Sequence, residues 1–161
     1  MATVHDELKA LEERVQLLED TEKVRECLMR NRFAADLGLS DVYAGTYAQD
    51  GVSDLGPGQR AVGREQLLYH INNPTGHKRI EGRSLHTVVN LFIRVNGRTA
   101  WAEGYDIVFV REGEGYIPYT CGYLHWEFEK QGERWYLTLR HRRPVGGDEW
   151  GGRVIKAYLK E

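Results

Sequence analysis

The sequence predicts an α+β fold, with helices first and an antiparallel sheet second. Three observations carry this. Between Asp6 and Asn72 apolar residues recur at helical intervals of three and four. From Ser84 onward, apolar and polar residues alternate in long stretches. Those stretches are separated by tight Gly turns: Asn96-Gly97, the EGEG of 112–115 and the QGE of 131–133.

The elements follow in order. Residues 6–19 put Leu8, Leu11, Val15 and Leu18 at 3-4-3 spacing, an amphipathic helix with a narrow seam. About two heptads cannot hold a coiled coil alone, so the seam packs on the body or on a second subunit. Asp20 or Thr21 can cap a second helix over 22–38, with Gly38 in the C′ position. Ser40 can cap a third over 41–50, closed by Gly51. A Gly/Pro loop over 54–63 leads to a short helix, 64–72, which Asn73-Pro74 stops. Strands are expected over 84–95, 98–111, 116–130 and 134–145. A strongly bent four-strand meander wrapped over three helices makes a cone with an interior pocket. The tail, 153–161, is either a short helix or an ordered strap. The whole chain, 1–161, reads as one domain, with 1–20 as a helical extension.

Bulk properties exclude several classes. The net charge is −2 and the pI is near 6.3, which does not suit a nucleic-acid partner. There is no apolar run of about 18 residues, hence no membrane span. The N-terminus is charged and lacks an apolar signal core, which points to the cytoplasm. Cys27 and Cys121 form no CxxC pair and read as free thiols. The 6 His form neither HExxH nor a Cys/His zinc spacing, and His70 and His77 fall beside the Pro74 turn as loop residues. GPGQRAVG lacks the Lys-Ser/Thr of a phosphate loop. The expectation is therefore no metal and no nucleotide or other cofactor.

The candidate site begins at His86, on the strand over 84–95. By parity it shares a face with Val88, Asn90 and Phe92. Polar groups on an apolar face need partners or a job. Tyr43 and Tyr47 lie four apart on one predicted helix face, a spacing that packing alone explains. On the strand over 116–130, Tyr119, Cys121, Tyr123, His125 and Glu127 share one face. Neither face of that strand is cleanly polar, so one meets the pocket and the other a subunit interface. A bulge would exchange the two.

The order LEERVQLLEDTEKVRECLMRNRFAADLG, YAGTYAQDGVSDLGPGQRAVGREQLL and LHTVVNLFIRVNGRTAWAEGY resembles the SnoaL-like branch of the nuclear-transport-factor-2-like superfamily. The resemblance covers about residues 8–143. It implies a cone-shaped α+β barrel of three helices on a strongly curved antiparallel sheet. The site pattern is similar to the group of scytalone dehydratase, bile-acid 7α-dehydratase and hexachlorocyclohexane dehydrochlorinase. That likeness implies a catalytic Asp at the end of the second helix, matched by Asp36, and a catalytic His on the first long strand, matched by His86. It also implies an Arg five residues after a Trp on the last strand, matched by Arg140 after Trp135. One position departs. Asn31 stands where the dehydrochlorinase carries Lys and the bile-acid enzyme Tyr, and an amide cannot serve as a general acid. The electrophilic role then falls to Arg140 or a pocket tyrosine, or the chemistry differs.

A His–Asp pair can remove a C–H proton, because the carboxylate fixes one imidazole tautomer and leaves the other nitrogen free. The expected function is a cofactor-independent lyase. It would expel water, a halide or a small carbonyl fragment such as formaldehyde from a small apolar, aromatic or polycyclic substrate. Asn31, Arg140, Tyr47 and Tyr123 are the expected substrate contacts. The alternatives are an isomerase or cyclase using the same base, and a non-catalytic ligand-binding module. A homodimer or higher homo-oligomer is expected, since one cone interior covers only one face of the strands.

Overall fold

A computed structural model describes residues 3–146 and Lys156. The predicted tail over 153–161 lies, apart from Lys156, outside the described residues.

The first two predicted helices are one. Helix α1 runs from Val4 to Asp36, 33 residues and about 50 Å. Thr3 caps it through a reciprocal capping box with Asp6. Asp20 and Thr21 do not start a new helix. No Gly or Pro interrupts the chain there, and Thr21 turns its hydroxyl back onto the Leu17 carbonyl at 2.7 Å. Asp20 instead is buried and accepts from Trp135 Nε1 at 3.0 Å and from Lys130 Nζ at 2.7 Å. These bonds pin the middle of the helix to the sheet. Before Asp20 every described residue of α1 is exposed, including Leu8, Leu11, Val15 and Leu18. After it, Val24, Leu28, Asn31, Arg32 and Ala35 turn inward at helical spacing.

The third predicted helix is shorter than expected. Helix α2 covers only Ser40–Ala44, and Leu39, not Ser40, precedes it as the cap residue. Gly45 ends it. The remainder of the predicted helix becomes strand β1, Tyr47–Asp54, with Gly51 inside it. Residues read as loop contain strand β2, Arg60–Val62, which pairs antiparallel with β1. Helix α3, Gly63–Asn72, follows, then a 3₁₀ turn over His77–Arg79.

The four long strands match the sequence reading within a few residues: β3 (Ser84–Asn96), β4 (Thr99–Glu112), β5 (Gly115–Gln131) and β6 (Arg134–Pro144). The sheet is larger than predicted. Among the described residues it has six strands in the order β2-β1-β6-β5-β4-β3 and is not closed. It is mixed and not purely antiparallel, because β1 runs parallel to β6. Sequence alternation revealed the β3–β6 hairpins, but β1 hides behind residues of helical spacing. Among the described residues up to Gly146 the fold is thus α+β, with three α-helices packed on a six-stranded mixed sheet. The core lies between helices and sheet, built on Val24, Leu28, Leu67, Trp126, Phe128 and Leu137.

Bulges on β3, β5 and β6 decide which side chains enter that space. On β3 the register shifts between Val89 and Phe92, and Asn90 sits there at a φ of 53°. His86 and Val88 therefore face inward, but beyond the bulge the inward residues are Leu91, Ile93 and Val95. The predicted shared face of His86 with Asn90 and Phe92 is broken. On β5, Tyr119 is the extra residue between the pairs Val108–Thr120 and Phe109–Pro118. On β6, Thr138 is the extra residue between the pairs Phe128–Leu137 and Glu127–Leu139. Leu137 and Arg140 are consequently both buried, three positions apart.

Candidate active site

A cavity of about 560 Å³ opens where the end of α1, α3 and the inner face of β3–β6 converge. His86 lines it. Asp36 is the last residue of α1, where the helix dipole disfavours a carboxylate. The site offsets that cost with four donations. Asp36 accepts from His86 Nδ1 at 2.6 Å, from Ser84 Oγ at 2.9 Å, and from the His86 backbone N–H at 3.0 and 3.2 Å to its two oxygens. Burial works against the Asp36 charge, but the bonds from His86 and Ser84 outweigh it and hold its carboxyl below the ordinary value. With Nδ1 committed to Asp36, Nε2 is the imidazole atom left to serve the cavity. Burial lowers the His86 pKa despite the raising effect of Asp36, so the ring favours its neutral, proton-accepting form.

Behind this pair is a buried charge cluster. Asp106 on β4 sits opposite Val88 of β3 and is essentially fully buried. It accepts from Arg32 Nη1 at 3.3 Å and from Arg142 Nε at 3.2 Å, with Arg140 Nη2 at 3.6 Å. Arg140 Nη1 reaches the Tyr43 hydroxyl at 3.5 Å. Burial opposes ionisation of Tyr43, but Arg140 and Arg32 outweigh it and hold the hydroxyl below its ordinary pKa. Tyr43 thereby becomes an acidic phenol facing the cavity.

The other expected contacts are placed differently. Asn31 is buried but does not line the cavity; it donates to Thr46 Oγ1 at 2.8 Å and accepts from Arg32 Nη2 at 2.7 Å. It positions the Arg32 guanidinium. Tyr47 lies behind Tyr43, hydroxyl to hydroxyl at 3.3 Å, on a strand and not on the predicted helix. Burial raises its pKa, so it stays a neutral phenol. Tyr123 is on the opposite face of the sheet, its ring 5.1 Å from that of Tyr105. That face also carries His125, bonded to the buried Glu103 at 3.0 Å.

Sequence reading missed Arg32, His70, His77, Asp106 and Arg142, all of which line the cavity. Two left a signal. Arg32 shares a helix face with Leu28 and Ala35, and Asp106 shares a strand face with Val108 and Val110; an ion on an apolar face is costly and asks for partners. His77 is not a free loop residue. Its ring stacks on that of His86 with centroids 5.4 Å apart, and burial first, then the nearby His86 and Arg140, push its pKa down to about 4. Among the described residues no group of three or more His, Cys, Asp or Glu could hold a metal ion.

A SnoaL-like domain model matches residues 16–141, most of the chain. The chain belongs to the SnoaL-like family. Solved structures carry the same fold. An NTF2-like protein with a cystatin-like fold from Novosphingobium aromaticivorans is 22% identical to this SnoaL-like chain, with a TM-score of 0.84 over 96% of this chain and 98% of that one. A candidate scytalone dehydratase from the same organism is 15% identical, with a TM-score of 0.69 over 80% and 85%. A candidate dehydratase of the NTF2-like family from Streptomyces avermitilis is 14% identical, with a TM-score of 0.68 over 79% and 97%. No curated protein is similar enough to match. Within the described SnoaL-like domain, no helix is long and apolar enough to cross a membrane.

Proposed function

We propose that this SnoaL-like chain is a single-domain cytoplasmic lyase that needs no cofactor and eliminates a small group from an apolar, aromatic or polycyclic substrate. The observation that carries the reading is the 2.6 Å contact between His86 Nδ1 and Asp36 beside a 560 Å³ cavity. In the proposed step His86 Nε2 takes a C–H proton. The C–H electron pair becomes a new C=C bond, and the bond to the leaving group breaks with its electrons. For a hydroxyl leaving group, Tyr43 donates the proton that completes water. Arg140 steadies the resulting phenolate. Asp36 orients the imidazole and stabilises it once charged. The cavity volume suits a ring system, and Ala35, Ile71, Ile80 and Val108 supply apolar walls.

The test is exchange and turnover with a panel of hydroxylated ring compounds in deuterated water. Wild-type protein should release water and exchange the abstracted position. His86→Gln should keep the fold and lose about 10²–10⁴-fold in rate. Exchange that survives His86→Gln would remove the base from the mechanism. We further infer a homodimer that covers the exposed seam of Leu8, Leu11, Val15 and Leu18. Light scattering at micromolar concentration that returns the monomer mass of 18.6 kDa would count against it.

A further inference from the structure

The charge of the cavity wall is unbalanced. Arg32, Arg140 and Arg142 line it, and the one carboxylate that lines it among the described residues is Asp106. Asp36 does not compensate, because it does not line the cavity and its oxygens are taken by His86 and Ser84. The remaining titratable wall groups cannot balance the wall either. His70, His77 and His86 are all shifted by burial toward their neutral forms, and the Tyr43 hydroxyl that Arg140 reaches at 3.5 Å is a far weaker acid than a carboxylate. Arg32 and Arg140 are almost entirely buried, and the Nε of each has no hydrogen-bond partner among the described residues. Buried cations in excess of their partners are costly, and the excess falls where a ligand would sit. We propose that the substrate carries a carboxylate, and that Arg142, together with Arg140, selects it.

Arg142 is the suited reader. It is the most accessible of the three guanidiniums, and its other bonds fix its plane: Nε donates to Asp106 and Nη2 to Thr120 Oγ1 at 2.6 Å. A guanidinium held in one plane presents its remaining N–H groups in a fixed fork, the geometry a carboxylate accepts. The cations and the His86 base line one cavity, so the anion would also orient the ring. An anionic anchor leaves the apolar walls to hold the ring system. This inference rests on the active-site reading above for the location of the substrate, but not on its chemistry.

The experiment compares 2-naphthoate with its neutral isostere 2-naphthamide by calorimetry on the full chain. The carboxylate should bind about tenfold to a hundredfold tighter, as charge-assisted bonds allow. Arg142→Gln should remove most of that preference, and Arg142→Lys should restore part of it. Thermal melts of both variants show that each is folded, and if the Gln variant is not, Arg142→Lys alone still tests the fork through partial loss. Equal affinity for the two probes, or no binding of either at millimolar concentration, overturns the proposal. Full preference retained in Arg142→Gln overturns the role of Arg142. A carboxylate preference without solvent exchange in any ligand would sink the elimination reading and leave the anion site standing; exchange on neutral ligands without preference would do the reverse.

Discussion

Asp106→Asn isolates the electrostatic role of the cluster, because Asn keeps the shape and removes the charge. The carboxylate is 1% exposed and faces guanidiniums that are 3%, 7% and 12% exposed, at 3.3, 3.6 and 3.2 Å. Burial alone would raise the Asp106 pKa; Arg32 and Arg140 lead the groups that overcome it and keep it below the ordinary carboxylate range. Without that charge three buried cations face one another unshielded. Breaking a buried ion pair costs about 3–5 kcal/mol, a large share of the roughly 5–15 kcal/mol that holds a domain folded. For a chain of this size that is a fall in Tm of about 6–20 °C. Circular dichroism melts at pH 7 and low salt provide the assay. Asp41→Asn is the control, because its pair with Arg64 is exposed on both sides and a pair of that kind is worth about 0–1 kcal/mol. The gap between wild type and Asp106→Asn should also narrow in acid. A carboxyl with a depressed folded pKa stabilises above its unfolded value, about 3.9, and loses that stability as pH falls through the folded one. An Asp106→Asn melt within about 2 °C of wild type would mean that the cluster is not electrostatically coupled, and the charge-imbalance argument would fall with it.

Further outcomes test the rest of the site. Asp36→Asn should lower turnover by disturbing the imidazole tautomer, and the double variant with His86→Gln should lose no more than His86→Gln alone, since the pair acts as a unit; additive losses by steady-state kinetics would separate them. Tyr43→Phe should keep ligand affinity and lower kcat for hydroxyl leaving groups, with no effect on halide ones; an equal loss for both would place its role elsewhere. Stability should fall with pH from about 6.5 toward the His77 value of about 4. His86 and His77 have depressed folded pKa values, so their contribution is complete above the unfolded value and lost in acid. His125 runs the other way: burial opposes its charge, but Glu103 and Glu127 outweigh it and raise its pKa, so its contribution is present in acid and lost as pH rises. A shallower slope between pH 7 and 4 in His77→Gln than in wild type would assign that share to His77, and an unchanged slope would remove it from the account.

The hairpins of β3–β6 were legible because alternation and Gly turns are local signals, and the contact of His86 with Asp36 because a likeness in site pattern paired them. The limits are equally physical. The junction at Asp20-Thr21 looks like a cap in sequence, since both residues favour N-caps, and only the long-range bonds of Asp20 to Lys130 and Trp135 show that the helix continues. Strand β1 could not be read because Tyr47 and Tyr43 keep helical spacing while their backbones diverge at Gly45. Arg140 was named by its distance from Trp135, yet strict alternation would have put the two on opposite faces; the extra residue at Thr138 brings both inside. A bulge leaves almost no trace in composition, so parity arguments fail just where the sheet is bent to build a pocket.

Asn90 tests that point directly. Sequence parity offers it as a polar companion of His86, which would make it part of the chemistry. The structure gives it a φ of 53° at the bulge, which is the left-handed region that Asn and Gly tolerate and β-branched residues do not. It is exposed, and it does not line the cavity. Its role is then conformational: it lets β3 take one extra residue opposite Gly104, where a Cβ would come within 3.0 Å of the Val89 carbonyl oxygen. Asn90→Gly should therefore leave stability within about 0.5 kcal/mol and leave ligand binding and turnover unchanged. Asn90→Val should cost about 1–3 kcal/mol from strain at the same φ, a fall in Tm of about 2–12 °C, with His86 still beside Asp36. The discriminating measurement is turnover of Asn90→Gly at a temperature where it is fully folded. Loss of turnover there would mean that the amide itself is used, and that β3 presents Asn90 to the cavity during turnover. Retained turnover, together with a destabilised Asn90→Val, would establish Asn90 as the hinge that turns the rest of β3 so that Leu91, Ile93 and Val95 pack inward beyond His86.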